Sequence, residues 1–391
     1  MMNYENETLS VNRRNFIKGA AAGWILLNSS ASFAFNRNFQ QKKLVWIFLR
    51  GALDGLHAVV PVADPYLQQH RKGLIEPIQS QLHTLNSQFG LAKDLAFMHQ
   101  LYQQKQMSPV VAVASGYRQR SHFDAQDQME SGLNQTDHDN GWLARALKEI
   151  NGGGLAISRS IPIAFRDGLT NSGVDVDTWF PSSFPEAPED LLNRLNDMYA
   201  KDPALNSHLQ AVIEQKQNPS MMMQEKRPTG FDYLAKQCAH LLANSSANCA
   251  MLELNGWDTH NNQVRRLSRN LSLLDKGIQN LQLGMGQKWQ DTLVIVSTEF
   301  GRTVAVNGTM GTDHGTASSM FLAGGALATF NGELSGGKVL GDWPGLAPEK
   351  LYQGRDLMAT SDVRYWYAKA LQSHWKLNRQ QLSRIFPDLP L

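Results

Sequence analysis

Five short runs, apolar at almost every position, constrain this chain more than anything else in it: Leu44–Leu49, Val110–Ala114, Ala250–Leu254, Leu293–Val296 and Met320–Ala323. A strand with one wet face alternates apolar and polar residues. Continuously apolar runs belong to strands buried on both faces, and helices are what cover such faces. The intervening stretches supply them, because Leu91–Gln104, Trp142–Ile150, Phe231–Leu242, Val264–Leu283 and Asp356–Leu371 carry apolar residues at helical spacing. The expected fold class is α/β, a mostly parallel sheet covered by helices on both faces. Hydrophobic residues make up 42% of the 391, enough to bury a sizeable core. A formal net charge of only +2 excludes a generally basic nucleic-acid or membrane-surface binder.

Residues 152–230 depart from this pattern. They are rich in Pro, Asn, Ser and acidic residues, with two expected helices at Pro185–Tyr199 and Ala204–Lys216. The stretch reads as a cap-like insertion within a single domain spanning 35–391. Before that domain, Arg13-Arg14-Asn15-Phe16-Ile17-Lys18 leads into the apolar run Gly19–Leu27 and a small-residue stretch ending at Ala34. An Arg pair, a short apolar region and a cleavage site in this order predict a twin-arginine signal peptide over 1–34. The expected location is periplasmic or extracellular, and the twin-arginine translocase is an expected partner. The apolar run falls far short of the ~20 residues needed to span a bilayer, so no stable membrane insertion is expected. Cys238 and Cys249 read as small buried hydrophobes, although a disulfide between them is geometrically open.

In an open α/β sheet, function gathers in the crevice at the carboxyl ends of the strands. Polar residues collect there repeatedly. The first run leads into Arg50-Gly-Ala-Leu-Asp54-Gly, and the second into a segment holding Ser121-His122-Phe-Asp124-Ala-Gln-Asp127. The third leads into Gly256-Trp-Asp258-Thr-His260, and the fourth into Glu299-Phe300-Gly-Arg302. Gly311-Thr-Asp313-His314-Gly precedes the last run. Each cluster alone is open to a plain structural reading. Asp54-Gly55 suits a turn, Asp124 a helix cap, Asp313 a turn cap, and Glu299 an ion pair with Arg302. Arg50 and Arg302 could bind an anion bidentately or satisfy backbone carbonyls. Together, however, these carboxylates and imidazoles would repel at one end of a sheet unless a cation neutralised them. A divalent ion is the economical answer: zinc or manganese for mixed His and carboxylate ligands, magnesium or calcium for carboxylates with water. Asp124 and Asp127 extend that ligand set.

The strings just quoted resemble the bacterial family known as domain of unknown function 1501, over nearly the whole of residues 35–391. That family in turn resembles the alkaline phosphatase and sulfatase superfamily, through Asp291-Thr-Leu-Val-Ile-Val-Ser-Thr-Glu-Phe-Gly, the Asp258/His260 loop and His314. The resemblance implies an exported, metal-dependent hydrolase of phosphate or sulfate esters, on a small-molecule or polymer substrate. It assigns Asp258, His260 and His314 to one metal, and Asp54 and Glu299 to a second. Ser121 or His122 stands at the nucleophile's place, and Arg302 or Arg50 would take the anion. Three departures qualify it. Phe300 replaces a His ligand, Asp258 and His260 are two apart rather than four, and no Cys-x-Pro-x-Arg signature is present. A catalytically degenerate metal- or ligand-binding protein of the same fold is therefore the alternative.

Overall fold

A computed structural model describes residues 42–168, 174–181, 198 and 230–390. The expected signal peptide lies outside the described residues, as do the two helices expected in the insertion, Met198 excepted. The main sheet is built from β1 (Lys43–Arg50), β2 (Met107–Ala114), β3 (Gly154–Ala156), β4 (Val176–Thr178), β5 (Cys249–Asn255), β6 (Thr292–Thr298), β7 (Ser318–Ala323) and β8 (Ser361–Asp362). Their spatial order is β8-β2-β7-β6-β1-β5-β3-β4. β1 lies at the centre, parallel to β5 on one side and β6 on the other. Only β7 runs antiparallel, against both β6 and β2.

All five apolar runs are strands, and the reason for their composition is visible in β1. Val45, Ile47 and Leu49 enter one core with α6 (Phe231–Asn244) and α7 (Gln263–Met285), while Leu44, Trp46 and Phe48 enter another with α5 (Trp142–Ile150) and α8 (Val363–Trp375). Both faces are dry, so neither parity of the strand has room for polar residues. The stacked Trp142 and Tyr367 rings, centroids 4.8 Å apart, close the second core.

Two expected helices start later than the apolar spacing indicates. The first is α3 (Ala96–Gln103), because Gly90–Leu91 is instead a short strand paired with Val59–Val60. The second is α8, because Ser361–Asp362 pairs with β2 and Asp362 then caps the helix. Part of the expected insertion belongs to the main sheet, since β3 and β4 extend it beyond β5. Those strands are three residues each, too short for periodicity to reveal. Cys238 and Cys249 are both free and buried, with their thiols pushed up by burial. Among the described residues, no helix is long and apolar enough to cross a membrane.

A candidate metal centre at the carboxyl edge of the sheet

Three segments follow parallel strands, whereas His314 precedes its strand. The antiparallel run of β7 removes that discrepancy: its beginning lies beside the ends of its neighbours. His122 opens α4 (His122–Ser131), Asp258 and His260 lie in the loop after β5, and Glu299 directly follows β6. The β5 loop is held by Trp257, whose indole donates to Leu254 O at 2.8 Å, and by Asn307, which donates to His260 O at 2.9 Å. Gly51, at φ +117°, lets the β1 end pass under the same loop. A Cβ there would stand 2.7 Å from the Asp258 nitrogen.

Four donor atoms converge. His314 Nε2 lies 3.1 Å from His122 Nε2 and 3.0 Å from His260 Nε2. Asp258 Oδ1 is 2.9 Å from His260 Nε2, 3.1 Å from His314 Nε2 and 3.7 Å from His122 Nε2. One atom from each of His122, Asp258 and His314 lies within 4.8 Å of the others.

The far side of each ring decides what these contacts mean. His122 Nδ1 meets the Glu299 carboxylate at 2.7 Å, His314 Nδ1 meets the Arg120 carbonyl at 3.2 Å, and His260 Nδ1 meets the Asp313 carboxylate at 3.3 Å. All three partners only accept, so each Nδ1 carries its proton. In a neutral ring, Nε2 then presents a lone pair. The Nε2 atoms and the Asp258 oxygen can lie this close only with a proton or a metal cation among them, and without an ion the second proton of His122 fills that place. An imidazole tied through its other nitrogen to a carboxylate or carbonyl is the usual support of a metal ligand. Donors at about 2.0–2.1 Å from a tetrahedral zinc lie roughly 3.3 Å apart, close to the spacings here. The donor set thus fits a borderline transition metal such as zinc.

Electrostatics tie the ionisable groups of the cluster to one another. Glu299 is fully buried. Burial opposes its ionisation, yet hydrogen bonds from His122, Gln126 and Thr298 hold its carboxyl below the ordinary value. Partial burial opposes ionisation of Asp258 as well, but His122, His314 and Arg302 keep it well below the carboxylate range. Burial alone would depress His122; hydrogen bonds to Asp258 and Glu299 prevail and bring it up to about 9. Phe300 stacks on His122, centroids 4.8 Å apart, and forms the apolar wall of the centre.

Other expected site residues are placed elsewhere. Asp54 is buried away from the cluster. Its Oδ2 accepts from Arg71 at 2.8 Å and from Gln263 at 2.5 Å, while its Oδ1 caps the short helix Gly55–Ala58. Glu299 does not face the four donors: Oε1 accepts from Gly51 N, His122 and Gln126, and Oε2 from Thr298. Arg302 is buried and pairs with Asp258 at 2.6 Å, not with Glu299, and also donates to Thr312. Arg50 is engaged by Glu130 and Glu253. Ser121 adjoins His122 at the start of α4, where its side chain makes no capping bond. Asp124 accepts from the Tyr117 hydroxyl at 3.0 Å, and Asp127 lies 3.5 Å from His138.

Sequence reasoning assigned no part to Gln126 or to the Arg120 carbonyl. A backbone carbonyl leaves no mark in sequence, but Gln126 stands four residues after His122, the helical spacing that puts both on one face. The resemblance puts His122 at the nucleophile's place, while its pairing with acidic neighbours also allows a ligand; here it lies among the candidate ligands, without Asp124 and Asp127.

Several solved structures are similar to this chain at low identity. Ps i-CgsB in complex with k-i-k-neocarrahexaose is 11% identical over 87% of this chain and 73% of that one, with a TM-score of 0.39. Alkaline phosphatase from the Antarctic bacterium TAB5 is 10% identical over 88% and 97%, with a TM-score of 0.37. Phosphonate monoester hydrolase of Agrobacterium radiobacter is 10% identical over 72% and 68%, with a TM-score of 0.33. Among curated proteins nothing matches the sequence. A family model described as Protein of unknown function (DUF1501) matches residues 99–386, and the chain belongs to that family.

Proposed function

We propose that this protein is an exported metal-dependent hydrolase of phosphate or sulfate esters. The observation that carries this reading is the convergence of three Nε2 atoms on Asp258, each ring tied back through Nδ1. His122, His260, His314 and Asp258 would hold the ion. A bound divalent ion supplies Lewis acidity toward an ester oxygen. Hydrolysis adds water across the phosphorus–oxygen or sulfur–oxygen bond, and the departing alcohol takes up a proton. Negative charge gathers on the oxygens of the transferring group, so the site must be net positive. A bound divalent ion would add to Arg302 the positive charge that offsets the Asp258 and Glu299 carboxylates. Arg302 holds Asp258 in place, Phe300 excludes water from one side, and the Asp258–His260 edge, about 40% exposed, is open to substrate. Ser121, adjoining His122, is the hydroxyl candidate for a nucleophile. Export rests on the Arg13-Arg14 segment and implies the twin-arginine translocase as partner.

A second reading, a ligand-binding protein without turnover, is favoured by one observation. At the nucleophile's place stands His122, both of whose nitrogens are already engaged. The deciding test is a panel of phosphate and sulfate monoesters, with zinc, manganese, magnesium or calcium added, comparing the purified protein with Asp258→Ala. Turnover lost in the variant supports the hydrolase. No turnover above the variant across the panel removes it in favour of the second reading.

A further inference from the structure

Behind the candidate metal centre lies a row of buried and half-buried polar groups that the reaction itself does not use. Arg50, at the end of β1, donates through Nη2 to Glu130 Oε1 at 2.5 Å and to Glu253 Oε1 at 2.8 Å. Through Nη1 it donates to Gln126 Oε1 at 2.6 Å. Gln126 Nε2 then donates to Glu299 Oε1 at 2.9 Å, the same oxygen that accepts the His122 Nδ1 proton. The amide has only one consistent orientation. Arginine donates and never accepts, so its partner atom is the Gln126 oxygen, and the Gln126 nitrogen is left for Glu299.

We propose that Gln126, oriented by Arg50, is a positioning residue of the metal centre. Through Glu299, it keeps the His122 Nε2 lone pair aimed at the ion. The inference rests on the metal reading above. A buried carboxylate without enough donors rotates, and rotation would take from the His122 Nδ1–H the acceptor that fixes the ring's tautomer. Arg50 contributes at a distance: its charge polarises the intervening amide toward Glu299, as chained hydrogen bonds do in a low dielectric. Gly51 N and Thr298 also donate to Glu299; of these donors, Gln126 is the one bonded to Arg50.

The test compares wild type, Gln126→Met and Gln126→Glu at pH 8. Each is stripped of metal and titrated with Zn²⁺ against a competing chelator, with thermal unfolding of the metal-free forms followed in parallel. Gln126→Met removes the donor at similar volume. Gln126→Glu keeps the reach and the Arg50 contact but places an acceptor opposite Glu299. Both are expected to bind Zn²⁺ about 10–100-fold more weakly, with the metal-free Tm close to wild type. Unchanged affinity in both variants, with wild type loading normally, overturns the role of Gln126 alone. Affinity falling only in step with a lowered metal-free Tm also overturns it, because packing alone predicts that result. A wild-type protein that takes up no ion removes the metal reading, and this inference with it.

Discussion

Asp258 Oδ1 accepts from Arg302 Nη1 at 2.6 Å while the same oxygen faces the Nε2 atoms of His260 and His314. The guanidinium is buried and also engages the carbonyl and hydroxyl of Thr312, so it fastens the β5 loop to the segment that carries His314. Replacing it by methionine leaves those acceptors without a donor. Arg302→Met is expected to cost about 2–4 kcal/mol, read as a lower urea midpoint at unchanged m-value.

His314 stands at the centre of the donor cluster, in contact with His122, His260 and Asp258. Metal analysis of gently purified protein should find near-stoichiometric zinc or manganese in wild type and a large loss in His314→Ala. Equal metal in both would show that any ion sits elsewhere.

Asp54 and Arg71 form a fully buried ion pair. Breaking it leaves a buried charge unmatched, so Asp54→Ala should lose about 3–5 kcal/mol in chemical denaturation. Burial pushes the Asp54 carboxyl up, but Arg71 and His57 outweigh it and hold the value below 3.8. A depressed carboxyl contributes stability above its unfolded value and loses it as pH falls through the folded one. Wild-type stability should therefore drop below about pH 3.8 in a manner Asp54→Ala does not reproduce.

Metal uptake should depend on pH through His122. Without an ion, this ring keeps its second proton up to about pH 9, and that proton must leave before Nε2 can ligate. Apparent affinity for zinc is expected to rise with pH and to level off near 9. A flat profile between pH 7 and 9 would mean that His122 is not a ligand.

Gly51 couples backbone conformation to the site. At φ +117°, with the Asp258 nitrogen 2.7 Å from where a Cβ would lie, Gly51→Ala must both strain the turn and push the ligand loop outward. Loss of metal together with a lower Tm is the expected result. An increase in stability would contradict it.

The order of apolar runs in this chain determined its layered sheet, because a strand dry on both faces has no position for a polar residue, as β1 shows with its two cores. The same order placed the polar clusters that follow parallel strands at one edge, and with them Asp258 and His260. Only the tertiary structure decided their roles. It drew His122 among the donors, set Glu299 behind its ring, and buried Asp54 against Arg71, seventeen residues away in sequence. It also used the antiparallel course of β7 to bring His314 to the edge from the opposite end of its strand. Sequence spacing reports which side a side chain takes along one element. Whether a carboxylate ligates an ion, orients a ring or neutralises an arginine depends on atoms from several elements meeting within about 3 Å, and that distance is set only when the sheet has assembled.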